Sequence, residues 1–123
     1  MNYGHSFGHA LEAATDFAVP HGIAVTIGMD MANYVAAQTG RADEAHFLRM
    51  HPVLLRNAQG FRDMAVPMAA FLRALGRDKK NQGARLTLIL PDADGVPQPT
   101  VMDNSPQFAD WCTCYFREVL PDA

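Results

Sequence analysis

The run from His21 to Gln38 constrains this chain more than any other segment. Ala24, Val25, Ile27, Met29, Met31, Ala32 and Val35 distribute apolar side chains nearly all the way round a helix. A helix with no wide polar face must be enclosed by protein. The pattern therefore predicts a central helix that ends near Gly40, a good stop residue. The 123 residues, 49% of them apolar, are enough for one domain with a real core. No apolar run is long enough to span a membrane. The methionines read as core filler rather than as ligands.

The remaining elements follow from the same kind of pattern. A first helix is predicted over about Tyr3 to Ala14, with Phe7, Leu11 and Ala14 on its apolar side and His5, His9 and Glu12 on another. Asp16 to Pro20 form a loop. A third helix is expected over about Ala42 to Ala58, bent or broken before Pro52. A fourth is expected over roughly Arg62 to Leu75, with Pro67 in its first turn and so able to move the start later, and Gly76 as its cap. Leu86 to Leu90 reads as a buried strand, Pro91 to Gly95 as a turn, and Thr100 to Met102 as a returning strand. Ser105-Pro106 reads as N-cap and first helical position of a last helix reaching Val119. Phe108, Trp111, Cys112, Tyr115 and Phe116 are expected to pack inward. The expectation is a mainly α fold of about five helices with one small β-hairpin, a single domain over 1–123.

Charge and cysteine content narrow the function. A net charge of −3 offers no footprint for nucleic acid. No basic stretch followed by an apolar one marks a secretory signal. Cys112 and Cys114 lie one residue apart on a predicted helix and point to different sides, which disfavours a mutual disulfide and is compatible with the cytoplasm. As a metal site, Cys-x-Cys would need two further ligands nearby.

The chemistry lies in three histidines. Three residues separate His5 from His9, and eleven separate His9 from His21. An i, i+4 pair shares one helix face. A helix, a short loop and a second helix start can bring His21 back to the same place. Neutral imidazole is a ligand for zinc and other divalent first-row metals. A lone histidine on such a helix is more often a satisfied core or surface residue, so the pair alone is weak. Gly4, Gly8 and Gly22 beside the three histidines strengthen it, because glycine marks close approach by a ligand, a substrate or another backbone. Glu12 either orients His9 or is solvated. His46 and His51 lack this setting and read as surface histidines. Lys79 and Lys80 follow a helix, where charged residues are usually solvated, yet lysines can also hold a phosphate.

Three stretches carry a resemblance: Asn2-Tyr3-Gly4-His5-Ser6-Phe7-Gly8-His9-Ala10-Leu11-Glu12, then His21-Gly22-Ile23-Ala24-Val25-Thr26-Ile27-Gly28-Met29, then Asp78-Lys79-Lys80-Asn81-Gln82-Gly83 before the apolar run 86–91. In order and spacing they resemble the C-terminal helical domain of the 3-dehydroquinate synthase family, the sugar phosphate cyclases. The resemblance implies that His5 and His21 ligate a catalytic Zn2+, or another divalent metal such as Co2+ or Fe2+. It implies that His9 contacts substrate and aids proton transfer, that Asn2 contacts substrate, and that Lys79 or Lys80 reaches the active site. It further implies NAD as a regenerated oxidant. A hydroxyl of a sugar phosphate is oxidised, phosphate is eliminated, the ketone is reduced back, and the ring closes by an intramolecular aldol step. A cytoplasmic homodimer serving aromatic amino acid biosynthesis is implied as well.

Two departures qualify the resemblance. Ile23 stands where the family usually has Glu, which weakens assignment to dehydroquinate synthase itself. Iron-type alcohol or polyol dehydrogenases often carry an aliphatic residue there, but their histidine spacing is shorter. The chain also begins one residue before the first motif, so the NAD-binding domain and the third ligand, a glutamate, that the resemblance implies are expected to lie upstream of it. No glycine-rich dinucleotide fingerprint follows any predicted strand. With two protein ligands, metal binding is expected to be weak, and the chain alone is expected to be inactive without an NAD-binding domain in cis or in trans. A non-catalytic helical remnant that binds a partner is the remaining alternative.

Overall fold

The computed structural model describes residues 3–76 and 85–121. Within them the chain forms α1 (His5–Ala14), α2 (His21–Thr39), α3 (Glu44–Leu55), α4 (Met68–Gly76), β1 (Arg85–Pro91), β2 (Pro97–Asp103) and α5 (Pro106–Cys114). The fold is mainly α, with five helices and one antiparallel hairpin. α2 is the hub, packed against α1, α3, β1 and α5. Its residues 30–36 are buried without interruption, as a helix apolar on all sides requires. It ends at Gly40, whose φ is 79°. This is the left-handed conformation that glycine adopts without strain.

Two helix boundaries differ from expectation. α3 runs straight through Pro52 and then tightens into a 3-10 turn, Arg56–Ala58. Pro52 sits in the last turn on the exposed side, and Leu48, four residues earlier, is exposed too. The carbonyl that loses its helical donor is therefore on the solvent side, where water can replace it. α4 starts at Met68 rather than near Arg62, the later start that Pro67 pointed to. Proline disfavours helical backbone in the residue before it, and the Pro67 carbonyl accepts the first helical bond, from Phe71 N at 2.9 Å. Arg62 instead donates through Nε to the Leu120 carbonyl at 2.8 Å.

The hairpin is longer than expected and pairs Leu88 with Thr100 at its centre. Leu86, Leu88 and Leu90 alternate into the core, while β2 is mostly exposed. Pro97 and Pro99 are tolerated because β2 is an edge strand. The Asp92 carboxylate closes the turn by accepting from Asp94 N and Val96 N. The Val96 N–H is the main reason its carboxyl is held below the usual carboxylate range. At the start of α5, Ser105 caps the helix by accepting from Phe108 N at 3.2 Å, with Pro106 next. Serine followed by proline is a favoured pairing at a helix start. The helix continues as a π-helical turn, Tyr115–Val119. Phe108, Cys112, Tyr115 and Phe116 are buried, and Trp111 is half-buried. Both cysteines are free thiols. No described helix is long and apolar enough to cross a membrane.

The core overturns the surface reading of His51. This histidine is buried, and its Nδ1 lies 2.8 Å from Asp30 Oδ2. The Tyr115 hydroxyl donates to the same oxygen at 2.8 Å. Asp30 is fully buried in the middle of α2. A buried carboxylate needs partners, so α3 and the π-helical turn after α5 each send one to α2. Burial pushes the Tyr115 phenol up, and the Asp30 charge adds to that. His46 is half-buried, its ring against Gly95 of the hairpin turn.

Candidate metal centre

The three histidines named from sequence come together where α1 begins and α2 begins. His5 is the first residue of α1, His9 lies one turn on, and His21 is the first residue of α2. Their ring centroids are 5.6 Å apart for His5–His9 and 5.9 Å for both His5–His21 and His9–His21. His5 is half-buried, whereas His9 and His21 are exposed.

Two local devices bring His21 back. The connection over 15–20 reverses through Asp16 at φ 52° and Phe17 at φ 61°. Residues other than glycine seldom adopt such left-handed values. The Phe17 N–H is tied to the Glu12 carbonyl at 2.8 Å, which holds the reversal shut. The second device is a glycine crossing. A Cβ on Gly28 would fall on the Gly4 carbonyl and come within 2.9 Å of Gly8 N. α1 and α2 therefore touch backbone to backbone, and only glycine fits. The approach that Gly4 and Gly8 signalled is by another backbone, while among the described residues a Cβ added at Gly22 would meet no such neighbour within 4 Å. Gly28, the partner in that contact, was not singled out from sequence.

Hydrogen bonds then orient the rings. Glu12 binds His21, not His9, with Oε1 3.0 Å from His21 Nδ1. Nor is it solvated; it is buried at 8% exposure. His5 Nδ1 lies 3.3 Å from the Tyr3 carbonyl. The Tyr3 hydroxyl donates to Asn33 Oδ1 on α2. Burial pushes the Tyr3 phenol up to about 12, so this donor persists through neutral pH. With Nδ1 engaged, His5 and His21 each keep Nε2 as the remaining ring nitrogen.

The donor set fits a divalent first-row cation. Imidazole nitrogens and a carboxylate suit zinc, cobalt and iron. His9, Glu12 and His21 offer ligand atoms that all lie within 4.8 Å of one another. Among the described residues, this face gathers three imidazoles and one carboxylate. Asn2, Lys79 and Lys80 lie outside the described residues. Ile23 is half-buried in the first turn of α2 and packs against the core. Sequence reasoning also missed Tyr3 and Asn33, because a link between positions thirty apart leaves no periodic signal.

Comparison with known proteins shows the family. The family model described as 3-dehydroquinate synthase C-terminal matches residues 1–81. A 3-dehydroquinate synthase of Laribacter hongkongensis is 41% identical over 96 residues, covering 77% of this chain and 26% of that protein. One from Rhizobium meliloti is 38% identical over 118 residues, covering 86% of this chain and 30% of that protein. The chain thus spans under a third of the length of these curated relatives. Among solved structures, a 2-deoxy-scyllo-inosose synthase complexed with carbaglucose-6-phosphate, NAD+ and Co2+ superposes with a TM-score of 0.72 at 24% identity. The match covers 95% of this chain and 34% of that one, and shows a shared fold.

Proposed function

Because the chain belongs to the 3-dehydroquinate synthase C-terminal family, we propose that it is the metal- and substrate-binding domain of a sugar phosphate cyclase that works with an NAD-binding domain in cis or in trans. The observation that carries this reading is the convergence of His5, His9 and His21 at one helix crossing, with Glu12 on His21. His5 and His21 would hold the divalent cation through Nε2. A bound cation supplies Lewis acidity to a substrate hydroxyl or carbonyl oxygen, and NAD, held by the other domain, supplies a hydride acceptor and donor. His9 is exposed and stands within reach of the same space, so it serves as the proton-transferring and substrate-contacting group. Asn2 and the Lys79/Lys80 pair are the substrate contacts, the lysines as point charges for phosphate. The solved structure of the same fold, a 2-deoxy-scyllo-inosose synthase complexed with carbaglucose-6-phosphate, NAD+ and Co2+, supports this combination of ligands.

The test joins the chain with the NAD-binding domain of a relative and follows a sugar phosphate. Release of inorganic phosphate with no net NADH is expected. Net NADH from a simple alcohol, without phosphate release, would replace the cyclase reading with that of a dehydrogenase. Cobalt titration of the chain should show binding that His5→Ala or His21→Ala abolishes and His9→Ala largely spares. Unchanged binding in all three variants would sink the site assignment.

A further inference from the structure

We propose that Glu12 is a positioning residue, which fixes His21 in the Nδ1–H tautomer so that Nε2 is presented to a divalent cation. The inference rests on the reading of His21 as a ligand and adds a residue that works through it. Glu12 Oε1 is 3.0 Å from His21 Nδ1, and a carboxylate at that distance accepts a hydrogen bond from the ring N–H. The two partners differ in burial. The Glu12 side chain is 10% exposed and that of His21 is 59% exposed. The carboxylate is thus held within the domain while the ring it grips reaches outward. Glu12 is fixed by its place on α1, whose next residues form the tied reversal, with Phe17 N on the Glu12 carbonyl. The brace therefore runs from α1 to the ring at the head of α2. On the other side of the site, His5 Nδ1 lies near the backbone carbonyl of Tyr3, whose hydroxyl donates to Asn33 of α2. Outer partners of this kind set the tautomer and ring direction of a ligating histidine and raise its basicity.

Tautomers are read directly from long-range proton–nitrogen correlation spectra of the nitrogen-labelled, metal-free chain above neutral pH. His21 should be Nδ1–H in the unmodified chain. Glu12→Gln should keep that tautomer, because its amide oxygen still accepts. Glu12→Ala should release the ring toward Nε2–H. Cobalt affinity should then fall by about 10- to 100-fold in Glu12→Ala and by less in Glu12→Gln. An Nε2–H tautomer in the unmodified chain would overturn the proposal without reference to any variant, as would a tautomer that Glu12→Ala leaves unmoved. Equal loss in both variants, with one oxygen neighbour fewer around cobalt by X-ray absorption, would make Glu12 a direct ligand and overturn it too. If His21→Ala leaves cobalt binding intact while the tautomer still answers to Glu12, the ligand reading has failed and the positioning contact stands by itself.

Discussion

α2 takes part in two carboxylate–imidazole pairs of nearly equal length and opposite character. Glu12 and His21 meet at 3.0 Å at its first residue, and Asp30 and His51 meet at 2.8 Å in its middle. The His21 side chain is 59% exposed, whereas those of His51 and Asp30 are 11% and 0% exposed. His51 is also packed against Phe47, with ring centroids 5.1 Å apart, and Asp30 shares its oxygen with Tyr115. The bond is the same in both places, and burial decides its role. In the closed pair the bond satisfies groups that water cannot reach, so its loss falls on the fold. In the open pair the ring keeps a nitrogen toward solvent, so its loss falls on the site.

The largest test of that contrast is Asp30→Ala. Leaving His51 and Tyr115 without their shared acceptor in the core should lower stability by about 3–5 kcal/mol, measured by urea unfolding. Glu12→Ala should lower it by only about 1 kcal/mol or less, because its partner is largely solvated. Equal losses would show that burial is not what separates the pairs. Next in size is Gly28→Ala. The added methyl would force α1 from α2 at a backbone contact, costing about 1–3 kcal/mol. It should also spread the histidines and weaken cobalt binding in the same variant. A stability loss with unchanged cobalt affinity would uncouple the crossing from the site.

A pH dependence follows from the buried phenols and thiol. Tyr3, Tyr34, Tyr115 and Cys112 are all pushed up, each chiefly by burial. Their protonated forms are therefore favoured more in the folded chain than in the unfolded one. This contribution is fully present below their ordinary values of 9.0 for Cys and 10.0 for Tyr. It is lost as pH rises through the folded values, which for Tyr3 is about 12. Unfolding free energy should accordingly fall from about pH 9 upward, the unfolded state binding fewer protons there. A flat alkaline limb in urea titrations would contradict the burial of these groups. The smallest effect is expected for Tyr3→Phe, about 0.5–1.5 kcal/mol for the lost bond to Asn33, with a weaker alkaline slope. If His5 is held through Tyr3, its ring resonances should shift as well.

Much of the fold could be read from local signals. Gly40, Ser105-Pro106 and the alternation in 86–90 act through the backbone of their own few residues, and they stop or start elements where expected. Pro52 failed as a breaker because its effect depends on which side of α3 meets water, and that is set by packing. His51 looked ordinary because its partner Asp30 is twenty-one residues away and sits in an otherwise apolar helix.

The candidate site divides along the same line. The spacing of His5, His9 and His21, with the apolar circumference of α2, was enough to predict that three imidazoles share one place and that α2 lies at the centre. Periodicity along a helix carries that information, because about 3.6 residues per turn fix which side chains share a face. Only the tertiary structure decided that Glu12 serves His21, that Gly28 lets the helices touch, that Tyr3 is tied to Asn33, and that Asp30 and His51 belong to the core. Those choices depend on distances between segments remote in sequence and on which atoms are removed from water, and neither is written in the spacing of residues along one helix.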